Sequence, residues 1–362
     1  MAFEPIAVSI LTGFLGAGKT TLLNRLLKDP ELESTAVIIN EYGEVSIDHL
    51  LVEKATDGII ELADGCVCCT VRGELVDTLA DLVDRMQTGR IAPLKRIVIE
   101  TTGLADPVPV LQSVMGHPVL MQAFRLDGVI CVVDAVNAAA TLDAHGEAVR
   151  QAAVADRIVL TKSELATAGE LEALAARLRS LNPSAPIIAS GEAPGAAALM
   201  NCGLYDPKTR TADVARWLGE EHHDNDHHHH DHDHHHHHDE RIRTMSLVHE
   251  GAVSFSAVEM FLDLLRSTQG ERLLRMKGII ELAEDPERPL VIHGVQKLLH
   301  PPARLPAWPE GRRGVRIVLI TCDLPEDYVR RLFAAFMGTP QVDTPDRAAL
   351  GDNPLAIAGF RG

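Results

Sequence analysis

Residues 13–20, Gly-Phe-Leu-Gly-Ala-Gly-Lys-Thr, constrain the fold more than any other part of the sequence. They match the pattern GxxxxGK[ST], with a β-rich run before them and a helical stretch, Thr21 to Lys28, after them. Glycines let backbone amides turn inward around phosphate oxygens, and the helix N-terminus adds its positive end. Lys19 is expected to reach the β- and γ-phosphates, and Thr20 to ligate Mg²⁺. The predicted nucleotide-binding residues of this segment are Gly13, Gly16, Ala17, Gly18, Lys19, Thr20 and Thr21.

Apolar, β-branched runs alternate with helical stretches through the first part of the chain. The predicted strands are 6–12, 36–40, 97–100, 128–134, 157–161 and 186–189. Helical stretches lie between them, such as 74–86 and 168–181. This alternation is typical of a parallel sheet covered on both faces. Together with the glycine loop it predicts an α/β P-loop NTPase domain over residues 1–217.

Residues 220–240, EEHHDNDHHHHDHDHHHHHDE, contain nothing apolar and cannot contribute to a core. We expect a disordered linker over 218–241. The pattern then restarts, and residues 242–362 are predicted to form a smaller α+β domain whose helices cover one face of a sheet. Its predicted strands are 245–249, 289–293 and 315–321, and its helices are 256–266, with Ser256 as N-cap, and 326–336.

Composition excludes several classes of protein. The formal charge of −17 argues against nucleic-acid binding, which needs a basic patch. Apolar runs stay well short of the ~20 residues that a membrane span requires. The first apolar run is interpreted as a core strand and not as a signal peptide, because no basic segment precedes it. Three of the six cysteines are almost adjacent, which is poor spacing for disulfides and predicts reduced thiols in a cytoplasmic protein.

Two further segments follow predicted strands. In Glu100-Thr101-Thr102-Gly103 an acid stands three residues before a glycine, which suits a Mg²⁺-linked catalytic acid and an amide that senses the γ-phosphate. The alternative is an ordinary strand-end acid with a turn.

The other segment is Thr161-Lys162-Ser163-Glu164, which replaces the Asn-Lys-x-Asp sequence with which GTPases read guanine. Glu keeps two acceptor oxygens on a longer side chain, and the Lys stem can pack along the base. The segment therefore predicts that Lys162 and Glu164 bind guanine, while a plain polar loop remains the alternative.

The thiols of Cys66, Cys68 and Cys69 can bind one soft ion such as Zn²⁺ or Cu(I). Three thiols form an incomplete shell, which suits a site that must release its ion, whereas redox chemistry or packing is the competing interpretation. The twelve histidines within residues 222–238 predict weak capture of Zn²⁺, Ni²⁺ or Co²⁺, against the alternative of a solvated linker.

Four segments together resemble the CobW-like subfamily of P-loop GTPases, which includes cobalamin-biosynthesis CobW proteins and zinc-handling relatives. They are residues 13–24, 40–44, 65–69 and 100–107. The resemblance implies GTP hydrolysis coupled to delivery of a transition metal to a client protein. It implies a metal site at Cys66, Cys68 and Cys69, with Glu41 or Glu44 near it, and Glu100 at the Mg²⁺ and hydrolytic-water site.

The leading interpretation is a cytoplasmic GTPase metallochaperone for zinc, with GTP, a metal ion and an unidentified metalloprotein client as partners. A homodimer is left open. Three alternatives stand beside it: a GTPase that handles Co²⁺ in cobalamin biosynthesis, a passive histidine-rich metal store or sensor, and a P-loop kinase with structural cysteines. Metal-responsive turnover distinguishes the chaperone from the store, and a phosphorylated product would identify a kinase.

Overall fold

The computed structural model describes residues 5–40, 59–61, 70–192, 195–200, 202, 241–300, 302–309 and 313–338. A parallel sheet of seven strands forms the first domain, in the order β3-β2-β4-β1-β5-β6-β7. The strands are β1 Ile6–Gly13, β2 Thr35–Asn40, β3 Ile59–Glu61, β4 Arg96–Thr101, β5 Phe124–Asp134, β6 Arg157–Thr161 and β7 Ile187–Ala189.

The described helices of this domain cover both faces of the sheet. They are α1 Lys19–Leu26, α2 Thr70–Gln87, α3 Val108–Gly116, α4 Leu120–Ala123, α5 Ala138–Ala144, α6 Gly146–Val154, α7 Ala168–Leu181 and α8 Ala196–Leu199. Every residue of β1 is buried, with Val8 and Ile10 in one apolar cluster and Leu11 in another. A parallel strand buried on both faces needs a continuous apolar run, which the sequence supplies. The predicted α/β architecture is confirmed.

An antiparallel sheet forms the second domain, with β11-β10-β9-β13-β8 as its order and β12 paired to β10. Its elements are β8 Ile242–His249, α9 Phe255–Gln269, β9 Leu273–Leu282, β10 Asp285–Val295, β11 Leu298–Leu299, β12 Ala303–Arg304, β13 Val315–Cys322 and α10 Glu326–Phe336. Both helices contribute to one apolar cluster with Met245, Met276 and Ile317. The predicted α+β domain, with its helices on one face of the sheet, is confirmed.

The N-cap of α9 is Ser254, and the prediction of Ser256 is wrong. The Ser254 hydroxyl accepts a hydrogen bond from the Ala257 amide, and the Glu284 carboxylate accepts one from the Phe255 amide. A second acceptor from outside the helix therefore satisfies an amide of the first turn, and the helix is capped two residues earlier than predicted.

The two domains share one apolar core. Ile242, Leu274, Val295 and Ile320 of the second domain belong to the cluster that also holds Val8 and Ile10. Within the described ranges no helix is long and apolar enough to cross a membrane. The domain boundary at residues 217 and 218 stays a prediction, because residues 203–240 lie outside the described ranges.

Candidate nucleotide site

The loop between β1 and α1 depends on glycine at both ends. Gly13 has a φ of 143°, and a Cβ there would lie 2.2 Å from the Val132 carbonyl oxygen, where no side chain fits. Gly18 has a φ of 92° in the left-handed region and is the N-cap of α1. The chain thus turns sharply from a buried strand into a helix whose N-terminus faces the loop, an arrangement that suits phosphate binding.

The Lys19 side chain lies along its own loop. Its Nζ donates to the Gly13 carbonyl at 2.9 Å and to the Phe14 carbonyl at 3.3 Å, and the residue is buried. The ammonium is therefore held over the concave face of residues 13–18, where the sequence places phosphate.

Thr20 and Glu100 meet beside this loop. The Thr20 hydroxyl donates to Glu100 Oε1 at 3.1 Å, and both residues are buried. Glu100 comes from β4, which pairs with β1 so that Leu11 and Glu100 are in register. A hydroxyl and a carboxylate are hard oxygen donors of the kind that Mg²⁺ prefers, so these residues fit the predicted magnesium site.

Gly103 packs directly on the phosphate loop. A Cβ at this position would lie 2.6 Å from the Leu15 backbone nitrogen and 2.8 Å from its Cα. The segment that follows β4 can approach the loop this closely only because residue 103 has no side chain. Its backbone is thus within reach of the phosphate end of a bound nucleotide.

Lys162 holds the other side of the loop. It has a φ of 56°, and its Nζ donates to the Gly16 carbonyl at 2.9 Å and to Asp134 Oδ2 at 2.7 Å. The hydroxyl of Thr161 donates to the Ala17 carbonyl at 2.6 Å. Glu164 is exposed in the 3-10 turn Ser163–Leu165, which directly follows Lys162.

Asp134 is a site residue that sequence reasoning missed. Burial acts to raise the pKa of its carboxyl, but the hydrogen bonds from Lys162, Asn137 and the local backbone lower it below its ordinary value. The carboxylate therefore stays charged and fixes the Lys162 ammonium. The available signal was an acid at the end of a buried strand, the same signal that identified Glu100.

The predicted transition-metal residues Cys66, Cys68, Cys69 and Glu41 and the histidine tract 222–238 lie outside the described residues. The described residues on either side of the cysteines are Glu61, the last residue of β3, and Thr70, the first residue of α2. Within the described ranges no group of three or more His, Cys, Asp or Glu side chains is arranged to hold a metal.

Two family models match the chain. The CobW/HypB/UreG nucleotide-binding domain matches residues 7–189, and the C-terminal domain of the cobalamin synthesis protein cobW matches residues 242–337.

Individual relatives match over most of their length. The chain is 36% identical over 335 residues to the zinc chaperone YjiA of Escherichia coli K12, covering 91% of this chain and 98% of that protein. It is 31% identical over 370 residues to the zinc chaperone CobW of a Sinorhizobium species, covering 92% and 97%. The crystal structure of Zn(II)-bound YjiA GTPase from E. coli superposes with a TM-score of 0.67 at 31% identity, covering 92% of this chain and 99% of that one.

Proposed function

Because the chain belongs to the CobW/HypB/UreG family of nucleotide-binding proteins, we propose that it is a GTP-hydrolysing metallochaperone. It takes up Zn²⁺ at Cys66, Cys68 and Cys69 and delivers the ion to a client metalloprotein. The observation that carries this proposal is the convergence of Lys19, the Thr20–Glu100 pair and Lys162 on one phosphate loop.

The roles at the phosphates follow from these contacts. The Lys19 ammonium exchanges its loop carbonyls for the β- and γ-phosphate oxygens, and the amides of residues 16–21 turn toward the phosphates. Thr20 and Glu100 would hold Mg²⁺, which neutralises phosphate charge when bound, and Glu100 also orients the attacking water. The Gly103 amide binds the γ-phosphate, which it reaches because its backbone rests against Leu15.

Guanine recognition is assigned to Lys162 and Glu164. The Lys162 ammonium donates hydrogen bonds to the Gly16 carbonyl and to Asp134, and this position beside the loop supports packing of the side-chain stem along a base. The exposed Glu164 carboxylate can accept two hydrogen bonds from the guanine edge, and adenine offers no equivalent pair of donors. We therefore propose GTP in preference to ATP.

Zinc is proposed as the cargo because soft thiolates bind it well and because both full-length relatives described above are named zinc chaperones. Cys69 directly precedes Thr70, the first residue of α2, so the thiol segment is joined without a spacer to a helix of the nucleotide domain. Glu41 directly follows Asn40, the last residue of β2, in the sequence and is a candidate fourth ligand.

Exposed apolar side chains around the nucleotide edge support a protein partner. Four such side chains are between 50% and 71% exposed and follow the carboxyl ends of strands β1, β4, β5 and β6: Leu15, Leu104, Val136 and Leu165. Large apolar side chains concentrated at one edge commonly mark an interaction site. We assign this edge to the client, with a homodimer as the other assembly it could support.

The test compares Zn²⁺ affinity in the GTP-analogue and GDP forms of the full chain. We expect Zn²⁺ to bind the analogue form roughly 5–150-fold more tightly than the GDP form, and Zn²⁺ to raise the ratio of analogue affinity to GDP affinity by the same factor. Lys19→Ala should abolish turnover because the β/γ charge loses its cation.

A Cys66/Cys68/Cys69→Ser variant should lose the tight Zn²⁺ site while Cys322→Ser, a matched single-thiol control, keeps it. Equal Zn²⁺ affinities in the two nucleotide states would refute the coupling. Wild-type turnover in Lys19→Ala would refute the assignment of the phosphate loop.

A further inference from the structure

A buried glutamine on α6 holds the segment that follows Glu100. The Gln151 side chain is 0% exposed, and its Nε2 donates to the Gly103 carbonyl at 3.2 Å and to the Ala105 carbonyl at 3.0 Å. Both neighbours are acceptors only, so the amide nitrogen must face them. One side chain thus fixes two carbonyl groups, one on each side of Leu104.

The neighbouring residue on α6 makes a second contact with the same segment. Arg150 lies 3.7 Å from the Asp106 carboxylate, whose Oδ1 also accepts a hydrogen bond from the Val108 amide at the start of α3. The segment 103–106 is therefore attached to α6 at three residues.

Helix α6 is itself fixed from both domains. The Asn182 amide donates to the carbonyls of Ala152, Ala153 and Ala155 at 2.8–3.1 Å. Asp156, just beyond the helix, pairs with Arg275 and Lys277 of the second domain. Because its carboxyl end cannot shift independently, the helix is a rigid support and the segment 103–106 adapts to it.

The arrangement carries a cost. Gln151 Oε1 is buried and accepts no hydrogen bond from any described residue. An unsatisfied buried acceptor is destabilising, and an apolar side chain of similar length would avoid it. The glutamine is thus better suited to orienting the two carbonyls than to packing.

We propose that Gln151 is the positioning residue that aims the Gly103 amide at the γ-phosphate. The inference rests on the proposed GTPase function. A peptide unit is planar, and Gly103 is also pressed against the Leu15 backbone. The planar unit that Gln151 holds joins the Gly103 C=O to the Leu104 N–H, and the Gly103 N–H belongs to the preceding unit. Gln151 and the Leu15 backbone therefore fix the position of the Gly103 Cα and carbonyl, and the Gly103 N–H can change direction only by rotation about the two backbone angles of this one residue.

This role predicts a defect that depends on the γ-phosphate. GDP has no group for the Gly103 amide, so freeing the segment leaves GDP binding unchanged. A GTP analogue loses a pre-oriented donor and binds more weakly. A glutamine that merely stabilised the fold would affect the two nucleotides equally.

The experiment measures dissociation constants of the full chain for a non-hydrolysable GTP analogue and for GDP, both with Mg²⁺. Gln151→Met keeps the side-chain length and removes both donors. We expect the analogue to bind roughly tenfold more weakly, the effect of about 1.4 kcal/mol for a lost buried hydrogen bond, with GDP affinity unchanged. The control is Gln112→Met, which makes the same substitution at a glutamine whose Nε2 donates at 2.8 Å to Gln296 of the second domain.

GDP binding shows that each variant is folded. If Gln151→Met does not fold, the second variant is Gln151→Asn, whose shorter side chain withdraws the amide by one methylene. An unchanged analogue-to-GDP ratio in either folded variant would overturn the inference, as would equal loss for both nucleotides. If the Gln151 variants give such a result while Lys19→Ala abolishes nucleotide binding, the proposed function survives and only the role of Gln151 fails. Failure of the wild type to prefer the analogue over GDP would remove both the γ-phosphate role of Gly103 and the inference.

Discussion

Removing the charge of Asp156 should show how much the ion pairs between the two domains contribute to the free energy of unfolding. This carboxylate is buried between the domains, where Oδ1 pairs with Arg275 and, at 3.2 Å, with Lys277 Nζ. Its Oδ2 accepts the Val129 amide at 3.0 Å. Asp156→Asn keeps the shape and an acceptor for that amide while it abolishes the charge.

The size of the effect follows from the pKa of Asp156. Burial acts to raise it, but Arg275 and Lys277 hold it at about 2, against an ordinary value of 3.8. At 1.36 kcal/mol for each unit of pKa, the charged form contributes about 2 kcal/mol to the free energy of unfolding at neutral pH. Because two buried cations also lose their carboxylate, the loss could approach the roughly 3–5 kcal/mol seen for broken buried pairs.

The sign of the pH dependence is fixed by the direction of the shift. A carboxyl with a lowered pKa in the folded state stabilises the protein above its unfolded pKa of 3.8, and the contribution disappears as pH falls through about 2. The stability difference between wild type and Asp156→Asn should therefore be full at pH 7 and clearly smaller at pH 3.

Urea unfolding of the full chain, followed by circular dichroism at both pH values, measures this difference. The matched control is Asp323→Asn, which breaks the Arg241–Asp323 pair whose side chains are 54% and 43% exposed. An exposed pair is worth about 0–1 kcal/mol. Equal losses for the two variants at pH 7, or a loss for Asp156→Asn that does not shrink in acid, would refute the reasoning.

Three further predictions concern the nucleotide site and the linker. Gly103→Ala should slow GTP turnover, by up to roughly a hundredfold, because its Cβ would displace the segment from Leu15, and steady-state kinetics measures this. Glu164→Gln should reduce the preference for GTP over ATP, because the amide keeps only one acceptor oxygen, and competition binding tests it. Deleting residues 222–238 should leave the melting temperature and basal turnover unchanged while it removes the low-affinity Zn²⁺ capacity. Loss of the tight Zn²⁺ site as well would contradict the assignment of weak capture to the histidines and tight binding to the cysteines.

The core strands of the first domain were predictable because most of them are β-branched runs buried on both faces, and the half-buried edge strand β7 is still apolar and β-branched. The three-residue strand Ile59–Glu61 is too short for such a signal. Strand β9 was missed for another reason: Arg275 and Lys277 interrupt its apolar pattern, since they face Asp156 of the other domain. A buried ion cluster between domains cannot be recognised before the partner across it is known.

The same limit applies to the candidate site. Lys19, Thr20, Glu100, Gly103 and Lys162 were predictable because each lies in the loop or at the strand end that its motif specifies, and parallel strands bring these ends to one edge. Gln151 carries no motif, and Asp134 offers only the general signal of an acid at the end of a buried strand. Their relevance arises from the neighbouring positions of β5 and β6 and from the packing of α6, which are properties of the tertiary structure.

The apolar core shared by the two domains has a consequence for synthesis on the ribosome. Ile242, Leu274, Val295 and Ile320 complete a cluster whose other members are all translated earlier, by residue 185. At about 5–20 residues per second, the nascent nucleotide domain waits roughly 7–27 s between emergence of Ala185 and emergence of Ile320. During that interval the surface destined for the second domain is uncovered, so the growing chain passes through a stage at which chaperone capture or self-association competes with completion of the fold.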